Sequence, residues 1–185
     1  MCEVVRTAAK EIGYEKGVAL GCTLMEPISE KFVEKTWQEV AGFSPQQASK
    51  EMQKMGKNQP ELLAFLMAMT EDMDAEVKEL AVYVAFVVYR IFESSGSRTK
   101  KLTSGEIISS FESNESLMGA LEDTHEKFID RIAGMQSSKQ PYVMEYILDA
   151  LFEEAEDGDE VELTDEDRGY LFLLLKTEVD LLDKP

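Results

Sequence analysis

Cysteine and histidine are almost missing from this chain of 185 residues: Cys2 and Cys22 are its two thiols and His125 its one imidazole. Two cysteines make neither a disulfide framework nor a zinc quartet, and such sparing use fits a reducing, cytoplasmic setting. A lone histidine excludes the Ser-His-Asp and Cys-His schemes unless His125 itself serves. Neither cysteine has a neighbouring basic motif that would lower a thiol pKa. Basic residues are scarce too, 19 against 37 acids for a formal charge of −18. That balance argues against a sequence-independent grip on phosphates and against an anionic membrane surface, since both need clustered Lys and Arg.

Long apolar runs are absent as well. The longest, Leu80 to Tyr89, is half of the roughly 20 residues needed to cross a bilayer. Ala19-Leu20-Gly21-Cys22 has the outline of a lipoprotein cleavage box, but Glu11, Glu15 and Lys16 break the apolar stretch an export signal requires. Asn-Gly turns, the strongest short hairpin signal, are lacking. What remains is 44% hydrophobic and 30% charged, a globular composition. A chain this long buries roughly 70% of its unfolded surface and needs no staple to hold a core.

Helix signals fill the length, and the fold class they indicate is all-α. The periodicity predicts eight or nine helices, over 3–25, 28–41, 45–56, 60–72, 75–93, 104–112, 115–136, 141–156 and 165–183. Pro27, Pro45, Pro60 and Pro141 stand at first-turn positions, where the missing N–H costs nothing. Ser44, Asp74 and Thr164 offer capping oxygens, and Gly42, Gly56 and Gly96 suit helix ends. Val82 to Tyr89 is rich in β-branched and aromatic residues. It sits inside an unbroken stretch from Asp74 to Glu93, too long for a strand, so it reads as a helix apolar on every side at the centre of a bundle.

The chain also matches itself. Gln59-Pro60-Glu61-Leu62-Leu63-Ala64-Phe65-Leu66 aligns with Gln140-Pro141-Tyr142-Val143-Met144-Glu145-Tyr146-Ile147, and Tyr83 to Val88 aligns with Tyr170 to Leu175. Each copy follows a predicted helix ending near Met55 or Met135. The expected organisation is one compact domain: N-terminal helices over 1–43 packed on the core, a three-helix unit over 44–93, a linker with a short helix over 94–114, and a second, acidic three-helix unit over 115–185. Two copies fall short of the three that a solenoid needs, so a pseudo-symmetric bundle follows, with Phe65 and Tyr146 in equivalent buried places.

Charge is lopsided across that bundle. Residues 1–60 hold eight acids and eight bases, whereas residues 111–185 hold 21 acids and six bases. Eleven carboxylates and no base lie between Asp149 and Asp167. Glu153, Glu154, Glu156, Asp157, Asp159 and Glu160 form the densest run and the candidate partner-binding surface, complementary to a basic protein. As a calcium loop the run fails: with Gly158 at the invariant sixth place, Ala155 falls at the third and Thr164 at the twelfth, so two ligands are missing.

Three further constellations carry lesser readings. Glu122 and His125 have the Glu-x-x-His spacing that ferritin-like di-iron bundles use twice, giving a metal-binding bundle as the first alternative, although a second imidazole is lacking and an exposed histidine on a polar helix is the simpler reading. Gly13, Gly17 and Gly21 recur every fourth residue and, if helical, form a stripe for close packing within the chain or across a homodimer. Met52, Met55, Met67, Met69 and Met73 read as core gap-fillers, and Trp37 beside Phe32, Val33 and Val40 as a core anchor. A small-ligand pocket between the apolar helices 75–93 and 165–183 is the second alternative. No catalytic constellation and no cofactor motif emerges, and the leading expectation is a non-catalytic, cytoplasmic protein–protein interaction module with an acidic docking surface.

Overall fold

The β-branched and aromatic segment Val82 to Tyr89 is helical. In a computed structural model, which describes residues 26–96, 100–122, 139–152 and 161–184, seven α-helices and no strand are present among the described residues: α1 (Glu30–Ala41), α2 (Pro45–Asn58), α3 (Pro60–Met69), α4 (Ala75–Ser94), α5 (Ser104–Glu122), α6 (Pro141–Phe152) and α7 (Asp165–Leu182). Every residue from Val84 to Tyr89 in α4 is buried, and so is every residue from Leu171 to Val179 in α7. A helix buried all round needs neighbours on all sides. The two central helices supply this for each other, with α1 and α2 against α4, α5 against α7, and α6 touching both. Among the described residues no helix is long and apolar enough to cross a membrane.

Local chemistry explains most of the boundaries. The Ser44 hydroxyl accepts from the Gln47 N–H at the start of α2. Thr164 and Asp167 close a reciprocal capping box on α7, satisfying two donors that the first turn leaves orphaned. Asp74 stands at the N-cap of α4 without a side-chain cap bond. Of the three glycines read as helix ends, Gly96 alone adopts a left-handed φ, +82°. Gly42 closes α1 at φ −84°, and Gly56 lies inside α2, which runs on to Asn58.

Other differences from the sequence reading have physical causes. A single α5 spans Ser104–Glu122 where two helices meeting near residue 113 were expected. Asn114, between the two expected helices, gives its amide to Thr177 Oγ1 at 3.1 Å and Asp180 Oδ2 at 3.0 Å on α7, so it has no need to compete for the backbone. Trp37 is 38% exposed rather than an anchor, while Val33, Thr36 and Val40 are the buried residues of α1. Met55 is fully buried and Met67 exposed. Phe65 and Tyr146 are partly buried against the core instead of enclosed by it, with Phe65 edge-on to Phe111 at 5.6 Å.

Candidate functional site

Two buried glutamines fix how the halves of the bundle meet. Gln59 and Gln140 each precede the proline that opens a helix, α3 and α6, and both are at most 1% exposed. Gln59 Oε1 accepts from the Leu102 N–H at 3.0 Å, and its amide donates to the Lys100 carbonyl at 2.8 Å. Gln140 Oε1 accepts from the Ile28 N–H at 2.8 Å, and its amide donates to Asp183 Oδ1. Leu102 lies just before α5 and Ile28 just before α1. Each glutamine thus satisfies the backbone of a segment entering a helix, which burial would otherwise leave unpaired at real cost.

An ionic cluster occupies the seam of α1, α2 and α4. Arg90 Nη1 meets Glu51 at 3.1 Å and Glu93, while Nη2 approaches Glu39 at 3.9 Å. Lys54 bonds Glu93 at 2.9 Å, and Tyr89 receives a hydrogen bond from Asn58 and donates one to Glu93. Burial by itself would raise the Glu93 pKa, but the Lys54 and Arg90 cations outweigh it and hold the carboxyl below its ordinary value. With three carboxylates answered by two cations, this is a structural lock joining three helices.

The seam between α5 and α7 is built differently. Asn114, Thr177, Asp180 and Lys176 form a polar cluster, with Lys176 Nζ 2.6 Å from Asp180 Oδ2. Beside it opens a cleft of 580 Å³ lined by Gly105, Glu106, Ser109, Ser110, Ser113, Asn114, Asp180 and Lys184. Glu106 is committed to the start of α5, bonding Lys100 Nζ at 2.8 Å and the Thr103 N–H at 3.0 Å. Those bonds, Lys100 first and Thr103 next, push its pKa down to about 2, so it stays ionised at any ordinary pH.

Glu178 is the one carboxylate among the described residues that is fully buried with neither oxygen bonded. Its helical neighbours Leu174, Leu175, Leu181 and Leu182 are all buried apolar residues. Removing a carboxylate from water penalises its charged form, and this burial drives the Glu178 pKa well above normal. No sequence signal marks it apart from a lone acid on an apolar stripe.

Most residues singled out from the sequence lie outside the described region: Glu153, Glu154, Glu156, Asp157, Asp159, Glu160, His125, Gly13, Gly17, Gly21, Cys2 and Cys22. For Glu122 the backbone at the end of α5 is described and the side chain is not. No group of three or more His, Cys, Asp or Glu side chains suited to a metal occurs among the described residues. The described cleft uses one of the two central helices, α7, but its other wall is α5 and not α4. The serine cleft and the glutamine clamps were not anticipated as sites. Gln-Pro was visible as a helix start, yet the clamped partners lie 43 and 112 positions away. No protein-family profile, curated protein or solved structure matches this chain.

Proposed function

We propose that this chain is a non-catalytic, cytoplasmic protein–protein interaction module, a duplicated helical bundle whose acidic second unit docks a basic partner protein. The observation that carries the reading is the charge asymmetry, 21 acids against six bases over residues 111–185. The described residues on either side of the densest acidic run agree with it. Glu145 and Asp149 are exposed on α6, and Glu162, Asp165 and Glu166 are exposed around the N-terminal end of α7. The one base there, Arg168, is engaged by the Leu151 carbonyl and Asp165 and lies over the Phe152 ring. One-signed surface steers an oppositely charged partner and accelerates its approach.

Support for the duplication comes from the glutamine clamps. The unit containing Gln59 holds the strap before α5, and the unit containing Gln140 holds the strap before α1. The packing has the same exchange, with α3 on α5 and α6 on α1. On this reading the repeat covers α1 as well as the helices matched by sequence, α5 being its counterpart. Replacing Glu153, Glu154, Glu156, Asp157, Asp159 and Glu160 by Gln or Asn tests the docking surface: association with the basic partner should weaken while helical circular dichroism is unchanged.

A further inference from the structure

Pairing the clamped residues Ile28 and Leu102 in the repeat proposed above sets Ser113 of α5 opposite Glu39 of α1, and continuing the match of Tyr83 with Tyr170 sets Thr177 and Asp180 of α7 opposite Arg90 and Glu93 of α4. In the first unit the long side chains of Arg90, Glu39 and Glu93 span and fill the seam. In the second, the Ser113 and Thr177 hydroxyls and the shorter Asp180 carboxylate take their places and a 580 Å³ cleft is left. That volume falls within the range of small-molecule sites, about 300–1,000 Å³. This correspondence rests on the repeat; the cleft and its lining do not.

The lining has hydrogen-bonding capacity to spare. Among the described residues no hydrogen bond uses the hydroxyls of Ser109, Ser110 or Ser113, and no ion pair uses Lys184. Asn114 is 7% exposed; its amide nitrogen is committed to Thr177 and Asp180, which fixes the carboxamide and leaves its oxygen as an acceptor. Asp180 spends Oδ2 on Asn114 and Lys176 and keeps Oδ1. The lining carries both signs: Glu106 and Asp180 oppose an anion, while Lys184 opposes a cation. A neutral molecule that both donates and accepts suits such a surface, because a hydroxyl can meet a carboxylate, a carboxamide oxygen, another hydroxyl or an ammonium group.

We propose that the cleft between α5 and α7 binds a small, neutral polyhydroxyl compound through Ser109, Ser110, Ser113, Asn114, Asp180 and Lys184. The open, polar shape gives little apolar burial, so the affinity is modest, with Kd on the order of 1–10 mM.

The test is a titration of the full, isotope-labelled chain with D-glucose as probe, followed by amide NMR. Saturable shifts are expected at residues 109–114 and 180–184. Sodium acetate at equal concentration should leave these amides unmoved. Ser113 is exposed, so Ser113→Phe fills the cleft without touching the core and should weaken binding at least tenfold. Absence of saturable shifts, an equal response to acetate, or undiminished binding by Ser113→Phe would each overturn the proposal. Failure here leaves the repeat untouched, because that is read separately through Gln59 and Gln140.

Discussion

Glu178→Gln tests the one carboxylate among the described residues that is fully buried with neither oxygen bonded. The wild-type carboxyl is fully buried, bonds nothing and has its pKa raised well above 4.5 by burial. In the unfolded chain the same group titrates as an ordinary carboxylate. The folded state therefore binds more protons than the unfolded state from the ordinary carboxylate range up to the raised folded pKa. With that sign, the protonated group's contribution is fully present at low pH and is lost as pH rises through this window. Within that window the loss is about 1.4 kcal/mol for each pH unit. Gln keeps the shape and cannot ionise. The variant's advantage over wild type should grow by about that amount with each pH unit above the ordinary carboxylate range, a rise of about 2–4 °C in Tm per kcal/mol for a chain of this size, and the two should converge at the acid end. Denaturant unfolding of both proteins across that range is the assay; the difference cancels the many other carboxylates. Parallel pH profiles, or a destabilised Glu178→Gln at pH 7, would refute the reasoning.

Gln59→Ala and Gln140→Ala should each destabilise the chain by about 1–3 kcal/mol, because each strands a buried backbone N–H, that of Leu102 or Ile28. Closely matched losses in chemical unfolding are what a repeat requires, and a silent variant at one position would count against it. Arg90→Leu leaves Glu39, Glu51 and Glu93 with Lys54 as their remaining cation. It should cost about 1–3 kcal/mol at pH 7, less than the 3–5 typical of fully buried pairs. Glu93, its pKa held low, supports wild-type stability above the ordinary carboxylate range and loses that role as pH falls through its depressed value. The variant's deficit should therefore shrink on acidification, and a pH-independent deficit would show that packing dominates.

Periodicity and punctuation made most of the helices legible, because prolines at first turns and capping hydroxyls act locally. Val82 to Tyr89 was assignable because the length of its unbroken stretch decided between strand and helix. Exposure of Trp37 was not legible: a single amphipathic helix does not reveal how wide its covered stripe is, and α1 buries Val33, Thr36 and Val40 only. Continuity of α5 through Asn114 depends on α7, 63 residues further on. The clamps, the α5–α7 cleft and the isolation of Glu178 likewise arise from tertiary placement, which local pattern cannot carry. The acidic run is the reverse case, plain in composition and outside the described residues.

The proposed docking through the acidic unit is tested most directly by stopped-flow association of the full chain with a basic protein as ionic strength rises. Charges further apart than about 8–10 Å are screened at physiological salt, and steering acts on the on-rate. The on-rate should fall steeply with added salt for wild type and much less for the chain carrying Gln or Asn at 153, 154, 156, 157, 159 and 160. An on-rate equally dependent on salt in both chains, or independent of salt in wild type, would contradict the account.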